Sequence, residues 1–456
     1  MHLFNVHTVI CFCAIIVCCK TRSLKPVKDT TQPLILTPLI KSGNIKEAQE
    51  AAEVKFDGFK GIRSYSGYFT VNEQYNSNLF FWFFPSEINY ESAPVVLWLQ
   101  GGPGASSLIG LFVEIGPFYV KNKHGLKRRP HYWSQTHSVI YIDSPVGSGY
   151  SFTDKEGLAQ NQTLIGQHLY SALLQFFQLF PELQKNAFFV TGESYAGKYV
   201  PVLSYEIMKQ NPSAKQKINL EGLAIGNGLC DPENQLGYAE YLYQIGLIDI
   251  ATKSIVQTMV DEGIKKIHKQ QWEEASDDLH KIIIGSDNEF SLFKNVTGFS
   301  NYFNILYLND TTTDNMEKYV IRSDVKAAIH VGNTAFSDGN EVLRAMKSDF
   351  AKSVAPLFTE LLDNYKVLLY NGQLDVIIAY PLTVNFIQKL KFSGSEEYKT
   401  AKRHQWIIDG DVAGYVKQAG NLTEILVRNS GHFVPTDQPV WALDMLTRFT
   451  GGKPFY

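Results

Sequence analysis

Ala187-Phe188-Phe189-Val190-Thr191-Gly192-Glu193-Ser194-Tyr195-Ala196-Gly197-Lys198-Tyr199 is the stretch from which the fold of this chain is read. Its first four residues form an apolar run suited to a buried strand. The run enters Gly192, a Glu-Ser-Tyr triplet, then Ala196 and Gly197, and continues into an apolar-periodic segment that predicts a helix. A serine at a strand-to-helix turn, flanked by small residues, has the form of a nucleophile elbow. The turn is tight, so small side chains at 192, 196 and 197 have a steric reason. It also aims the N-terminus of the next helix, with its unpaired N–H groups, at the serine oxygen. Taken alone, the pentapeptide reads equally well as a serine in an ordinary turn, so its partners have to be found elsewhere.

Outward from the elbow, continuous apolar runs recur and end in polar or glycine-rich loops. Val95-Val96-Leu97-Trp98-Leu99 ends in Gln100-Gly101-Gly102-Pro103-Gly104, and Val139-Ile140-Tyr141-Ile142 ends in Asp143-Ser144-Pro145. Leu223-Ala224-Ile225, Val367-Leu368-Leu369-Tyr370 and Ile425-Leu426-Val427 follow, the last two ending before Asp375 and before Gly431-His432. Such runs suit strands buried on both faces. Residues 65–71 and 79–84 read as antiparallel strands, and residues 437–449 as a closing helix. Residues 231–324 are rich in Glu, Lys and Gln with helical periodicity, Ile255, Met259, Ile264 and Ile267 sharing a predicted face. Buried strands alternating with helices predict an α/β fold of the α/β-hydrolase type, a mostly parallel central sheet with a helical cap insertion. The expected organisation is a signal peptide at 1–19, a candidate pro-segment at 20–55, a core at 56–230 and 325–456, and the cap at 231–324. In such sheets ligands bind beyond the carboxyl ends of the strands. The loops bearing Ser194, Asp375 and His432 should crowd that rim.

A serine hydroxyl needs a base, and the base needs a carboxylate to hold its tautomer. The expected chain order is serine, acid, histidine. Downstream of Ser194, His268 and His280 fall in the helical insertion and His404 in a charged stretch. His432 follows a buried strand through a glycine, and Asp375 lies just past another buried strand. Ser194, Asp375 and His432 are therefore the catalytic candidates. Gly102 and Tyr195 N–H groups are the candidate oxyanion donors. Gly101-Gly102-Pro103-Gly104 is not a phosphate loop, because the lysine of G-x-x-x-x-G-K-[ST] is missing. The glycine pairs at 147–149 and 226–228 lack the third glycine of a dinucleotide fingerprint. With no H-E-x-x-H and no cysteine-histidine cluster, neither a metal nor another cofactor is expected.

The whole chain narrows the class. Its 456 residues are 45% hydrophobic and 13% aromatic, enough for a large core. A net charge of −3 from 42 basic and 45 acidic residues argues against nucleic acid. The one local basic cluster, residues 121–129, reads as a solvated hairpin or loop. A short apolar run over residues 9–19 sits where a signal h-region belongs, and no later run is long enough for a membrane anchor. Four of the five cysteines lie in that leader, which leaves Cys230 alone. Sequons at Asn161, Asn295, Asn309 and Asn421 favour the secretory pathway, with a secreted or lysosomal destination. A homodimer is compatible with the sequence.

Three motifs carry a family resemblance. Residues 97–107 (Leu-Trp-Leu-Gln-Gly-Gly-Pro-Gly-Ala-Ser-Ser), 192–201 (Gly-Glu-Ser-Tyr-Ala-Gly-Lys-Tyr-Val-Pro) and 431–435 (Gly-His-Phe-Val-Pro) resemble the signatures of serine carboxypeptidases, peptidase family S10. Asn371-Gly-Gln-Leu-Asp375, Leu-Thr-Pro-Leu-Ile at 36–40 and Ala328-Ile-His-Val-Gly332 are most similar to the vitellogenic-carboxypeptidase-like branch. The resemblance implies removal of single C-terminal residues from peptides or proteins through an acyl-enzyme at acidic pH. It also implies a pocket for the terminal carboxylate built from Trp98, Gln100, Gly101, Glu114 and Glu193. From the residues alone, Glu114 reads as a helix-surface residue and Glu193 as a bystander. Two departures stand out: Gln100 replaces a more usual Asn, and Ala105 occupies a position that often carries a disulfide cysteine. The elbow and triad do not fix the acyl group, so an esterase, lipase or acyltransferase shares this pattern. A non-catalytic binding protein that kept the fold is the third alternative.

Overall fold

The structure, a computed structural model, describes residues 31–456 except 60, 123–124, 286–288 and 310–312. The expected leader, its four cysteines and residues 20–30 lie outside the described residues.

Twelve strands are formed: β1 Tyr65–Asn72, β2 Ser77–Phe84, β3 Val95–Leu99, β4 Phe118–Asn122, β5 Gly125–Arg128, β6 Ser138–Ile142, β7 Phe188–Glu193, β8 Leu220–Gly226, β9 Lys366–Gly372, β10 His404–Ile408, β11 Asp411–Ala419 and β12 Leu422–Val427. Ten make one sheet in the order β1-β2-β6-β3-β7-β8-β9-β12-β11-β10. The six central strands, β6 to β12 in that order, pair in parallel. Antiparallel pairs close both edges. The apolar runs become central strands because both their faces are covered: in β3, Val95, Leu97 and Leu99 enter one hydrophobic cluster while Val96 and Trp98 enter the other. The helix Ala196–Gln210 covers the first face with Ala196, Tyr199, Val200, Leu203 and Ile207, a stripe at helical spacing. The closing helix starts at Pro439, two residues later than expected, and covers the second face with Ala442, Met445, Leu446 and Phe449.

Between β8 and β9 the described residues hold helices and no strand, from Tyr238–Gln244 to Ala355–Asn364. Three local expectations are corrected, there and elsewhere in the chain. The helix Ile250–His268 buries Val256, Val260, Gly263 and Ile267, whereas Ile255 is 53% exposed. The buried stripe steps by 4, 3 and 4 residues, and the small Gly263 faces the neighbouring helix Trp272–Ile283. Residues 118–128 do form a hairpin, but Arg129 at its exit is not solvated: its guanidinium donates to Phe112 O at 2.7 Å, to Gly116 O at 3.1 Å and to Phe118 O. The stretch at 402–405, read as charged surface, enters edge strand β10 at His404.

Residues 33–55 are part of the core. Leu36, Ile40, Ala48 and Ala52 are buried, and Leu34 and Leu36 exchange backbone hydrogen bonds with Tyr68. We expect Leu36→Ala to cost about 2–5 kcal/mol of folding stability, read as a lowered denaturant midpoint. A midpoint equal to the wild type would show this strip to be a loose appendage.

Candidate functional site

Parallel strands deliver their carboxyl ends to one rim. β7 ends at Glu193, and Ser194 follows with φ +60°, a strained value for a residue with a side chain. The strain is held by neighbours on both sides: Ser194 N donates to Gly226 O at 3.0 Å, and Ser194 O accepts from Gly197 N and Leu229 N. Small residues are required around it. A Cβ at Gly197 would lie 2.7 Å from Leu229 N, and one at Gly101 would lie 2.5 Å from Tyr195 N. The Gly-Gly-Pro-Gly loop therefore lies directly against the elbow. That loop is anchored by buried Asp143, whose carboxylate accepts from Ser106 Oγ at 2.6 Å and Ser107 N at 2.8 Å. Burial pushes the Asp143 carboxyl up to about 6, against the pull of those hydrogen bonds.

The ends of β8, β9 and β12 bring a second group together. His432 Nδ1 lies 2.9 Å from Asp375 Oδ2, both side chains being buried. Asp375 also accepts from Asn227 Nδ2 at 2.6 Å, Ile377 N at 3.1 Å and Ile378 N at 3.2 Å. A carboxylate with four donors is well satisfied in a dry site. Its accepting role makes Nδ1 the protonated nitrogen and leaves Nε2 as the free base. Asn227, which follows β8 with φ +41°, also receives Gly372 N on its Oδ1 at 3.1 Å. It cross-links two strand ends, and nothing in the sequence pattern marked it.

Ser194, His432, Gly101, Gly102, Gln100 and Glu193 line one cavity of about 570 Å³. Of the expected pocket residues, Gln100, Gly101 and Glu193 line it, and Trp98 and Glu114 are buried behind them. Trp98 Nε1 donates to Gln100 Oε1 at 2.9 Å, which fixes the amide so that Nε2 faces the carboxyls. Gln100 Nε2 then donates to Glu193 Oε1 at 2.8 Å and to Glu114 Oε1 at 3.3 Å. Glu114 is buried on a single turn of π-helix, Gly110–Glu114, and is not a surface residue. Arg129 and Thr436, which donates to Val113 O at 3.0 Å, hold that turn in place. Burial pushes both glutamates above the usual carboxyl range, and Glu193 is raised further by the adjacent Glu114 charge. The two carboxyls are also side-chain hydrogen-bond partners of each other, and their outer oxygens receive no donor from the rest of the protein. A shared proton on the pair removes the repulsion.

One turn past Ser194, buried Lys198 donates to Asp349 O and Phe350 O, both at 2.7 Å. Burial lowers its ammonium to about 7, so it is charged at acidic pH. The Tyr195 ring stacks on Phe350, its hydroxyl donating to Asp349 Oδ2 at 3.2 Å. Of the four sequons, Asn161, Asn295 and Asn309 are exposed. Asn421 commits its amide nitrogen to Leu362 O at 2.9 Å, and its Thr423 is buried. Cys230 is buried, and burial raises its thiol above the ordinary range. Among the described residues no cluster of metal-ligating side chains is present, and no helix is long and apolar enough to cross a membrane.

The buried pair has a thermodynamic signature. Between the ordinary glutamate range and the raised folded values, the folded chain holds a proton that the unfolded chain has lost. Stability therefore falls as pH rises through that window. Glu193→Gln removes one member of the pair, so its unfolding midpoint should fall less between about pH 5 and pH 7.5 than that of the native chain. Parallel pH curves for the two would place the proton elsewhere.

Comparison with known proteins gives the geometry its context. The family model described as serine carboxypeptidase, Peptidase S10, matches residues 55–452. The chain is 52% identical to the venom serine carboxypeptidase of Apis mellifera, over 94% of this chain and 93% of that protein. It is 49% identical to the human probable serine carboxypeptidase CPVL, over 95% and 93%, and 46% identical to the vitellogenic carboxypeptidase of Aedes aegypti, over 92% and 90%. Its fold matches the crystal structure of a Kex1 carboxypeptidase from Saccharomyces cerevisiae with a TM-score of 0.75, at 23% identity over 89% of this chain and 96% of that one. An α/β-hydrolase sheet with this rim, matched along nearly its whole length, places the chain in the serine carboxypeptidase family as a serine-type carboxypeptidase.

Proposed function

We propose that Ser194, His432 and Asp375 are the catalytic triad and that the buried glutamate pair reads the substrate's terminal carboxylate. Ser194 Oγ attacks the last peptide carbonyl while His432 Nε2 takes its proton. The same proton passes to the departing amine as the C–N bond breaks, leaving an acyl-enzyme. Water then repeats the steps and frees the shortened peptide. Gly102 and Tyr195 N–H groups hold the oxyanion, with Tyr195 at the start of the elbow helix. The observation that carries the assignment of substrate end is the Gln100–Glu193–Glu114 cluster beside Ser194. A protonated pair donates a hydrogen bond to a terminal carboxylate, whereas an ionised pair repels it. An esterase or acyltransferase has no need of two buried acids there.

Paired substrates test this directly. A blocked dipeptide should be cleaved at about pH 5, while its C-terminal amide twin should be turned over more slowly by about 100-fold or more, the cost of an unpaired buried polar group. Equal turnover of the two would end the carboxylate-pocket assignment. The pair also sets a pH dependence. KM should rise as pH climbs through the raised glutamate range, with kcat changing less. Glu193→Gln keeps a donor at every pH while buried Glu114 still titrates, so its KM should rise less than the wild type's from about pH 5 to 8; a KM rise matching the wild type would place the titration elsewhere.

The apolar run at residues 9–19 and the exposed sequon asparagines Asn161, Asn295 and Asn309 support passage through the secretory pathway to an extracellular or lysosomal destination. We infer that any maturation cut falls before Pro33, because Leu34 N donates to His330 O at 3.0 Å and Leu36 is fully buried. The helices between β8 and β9 shape the side of the cavity that receives the penultimate residue.

A further inference from the structure

The loops carrying Asp375 and His432 are spanned by a strap from the long insertion, residues 301–305. Tyr302 O accepts from Val376 N at 3.2 Å and from Ile377 N at 3.1 Å, and Ile305 N donates to Leu374 O at 3.1 Å. Phe303 O accepts from His432 N at 2.7 Å. The strap backbone thus bonds the residues on both sides of Asp375 and His432 itself. The Phe303 ring lies 5.1 Å from the imidazole, tilted by 33°.

The strap is shaped and pinned by side chains. Asn301 Oδ1 accepts from Phe303 N at 2.8 Å and Asn304 N at 3.2 Å, which folds the turn. Asn304 Nδ2 donates to Asp437 Oδ2 at 3.0 Å, and the same oxygen accepts from Gly431 N at 2.7 Å. One carboxylate oxygen therefore ties the strap to the residue preceding His432. A Cβ at Gly431 would collide with Phe303 O, so the two backbones are in contact. Gln438 Nε2 holds the far side of the same loop through Asn429 O at 2.9 Å.

We propose that the strap at 301–305 and Asp437 form a positioning element for catalysis, holding the Asp375–His432 pair in register with Ser194. This rests on the triad reading given above. Asp437 is a positioning residue: its partners are Gly431 and Asn304, and it reaches the imidazole only through the backbone they set. The inference follows from where the bonds go. An anchor that served only to tether the insertion could attach anywhere along the rim. These bonds converge on residues 374, 376, 377, 431 and 432. The insertion then supplies part of the turnover machinery as well as a wall of the binding cavity.

The test separates positioning from simple stability. Measured are kcat and KM on the blocked dipeptide, and the second-order rate of Ser194 labelling by a fluorophosphonate, which needs the base but not the carboxylate pocket. Asp437→Ala should lower kcat and labelling by one common factor of about 10 or more, with KM within about twofold. Asp437→Asn keeps an acceptor oxygen and should recover most of the rate. Asn304→Ala frees the strap while leaving the Gly431 bond, and should show a smaller loss of the same kind. It also serves as the reading if Asp437→Ala does not fold. The double variant should lose less than the product of the two single losses, since both remove the Asn304–Asp437 bond, while Asn304→Ala alone also removes the Leu306 N bond to Asn304 Oδ1 at 3.0 Å. Folded Asp437→Ala with wild-type kcat and labelling, or Asp437→Asn as impaired as Asp437→Ala, would overturn the strap's role. Labelling that survives Ser194→Ala would instead overturn the triad reading itself, and the strap's role with it.

Discussion

Two carboxyl groups buried side by side with no cation bonded to them set a constraint that much of the rim is arranged to meet. An isolated ionised carboxylate is strongly disfavoured in a dry interior. Here one amide nitrogen serves both acids, an indole fixes which way that amide points, and a shared proton removes the mutual repulsion. Each requirement recruits structure. Trp98 must sit at the end of a central strand, and Glu193 must end the next. Glu114 must arrive on a tightened turn whose carbonyls are gathered by Arg129. Arg129 thus spends its donors on backbone carbonyls and does not neutralise the pair outright. A bonded cation would ionise both acids and remove the donor on which the proposed carboxylate pocket relies.

The same rim satisfies a second constraint, the left-handed backbone at Ser194. Such a position persists only where the surroundings fix it. Gly226, Gly197 and Leu229 do so by hydrogen bonds, and Asn227 carries the restraint onward to Asp375 and Gly372. The elbow, the acid and the ends of β8 and β9 are thereby one connected network. The parallel sheet supplies the frame that aligns these ends.

Much of this was legible in the chain, for physical reasons that also mark where legibility stops. Central strands announce themselves because burial on both faces demands unbroken apolar runs. Ser194, Asp375 and His432 could be picked out because each follows such a run, and parallel strands leave those ends on one side. Glu114 could not be placed by pattern, because its burial depends on Arg129 and on the tip of β3, both distant along the chain; only the family resemblance flagged it. Asn227 and Asp437 look like ordinary turn residues until their partners, 148 and 6 residues away, are brought to them. The apolar face of Ile250–His268 was misplaced toward Ile255 because several registers of that helix are nearly equally apolar, and the packing of Gly263 decides between them. Edge strands β10 and β11 carry charged residues on an exposed face and so resemble surface loop.

The solitary, buried Cys230 means that, within the described residues, every contact between insertion and core is noncovalent. Those contacts do not depend on a disulfide. Thiol-rich surroundings that would open disulfide-braced enclosures leave this one intact, and maturation needs no oxidase or isomerase to pair cysteines across it. What takes the place of covalent bracing is a set of hydrogen bonds sheltered from water, which strong denaturants can break but reductants cannot.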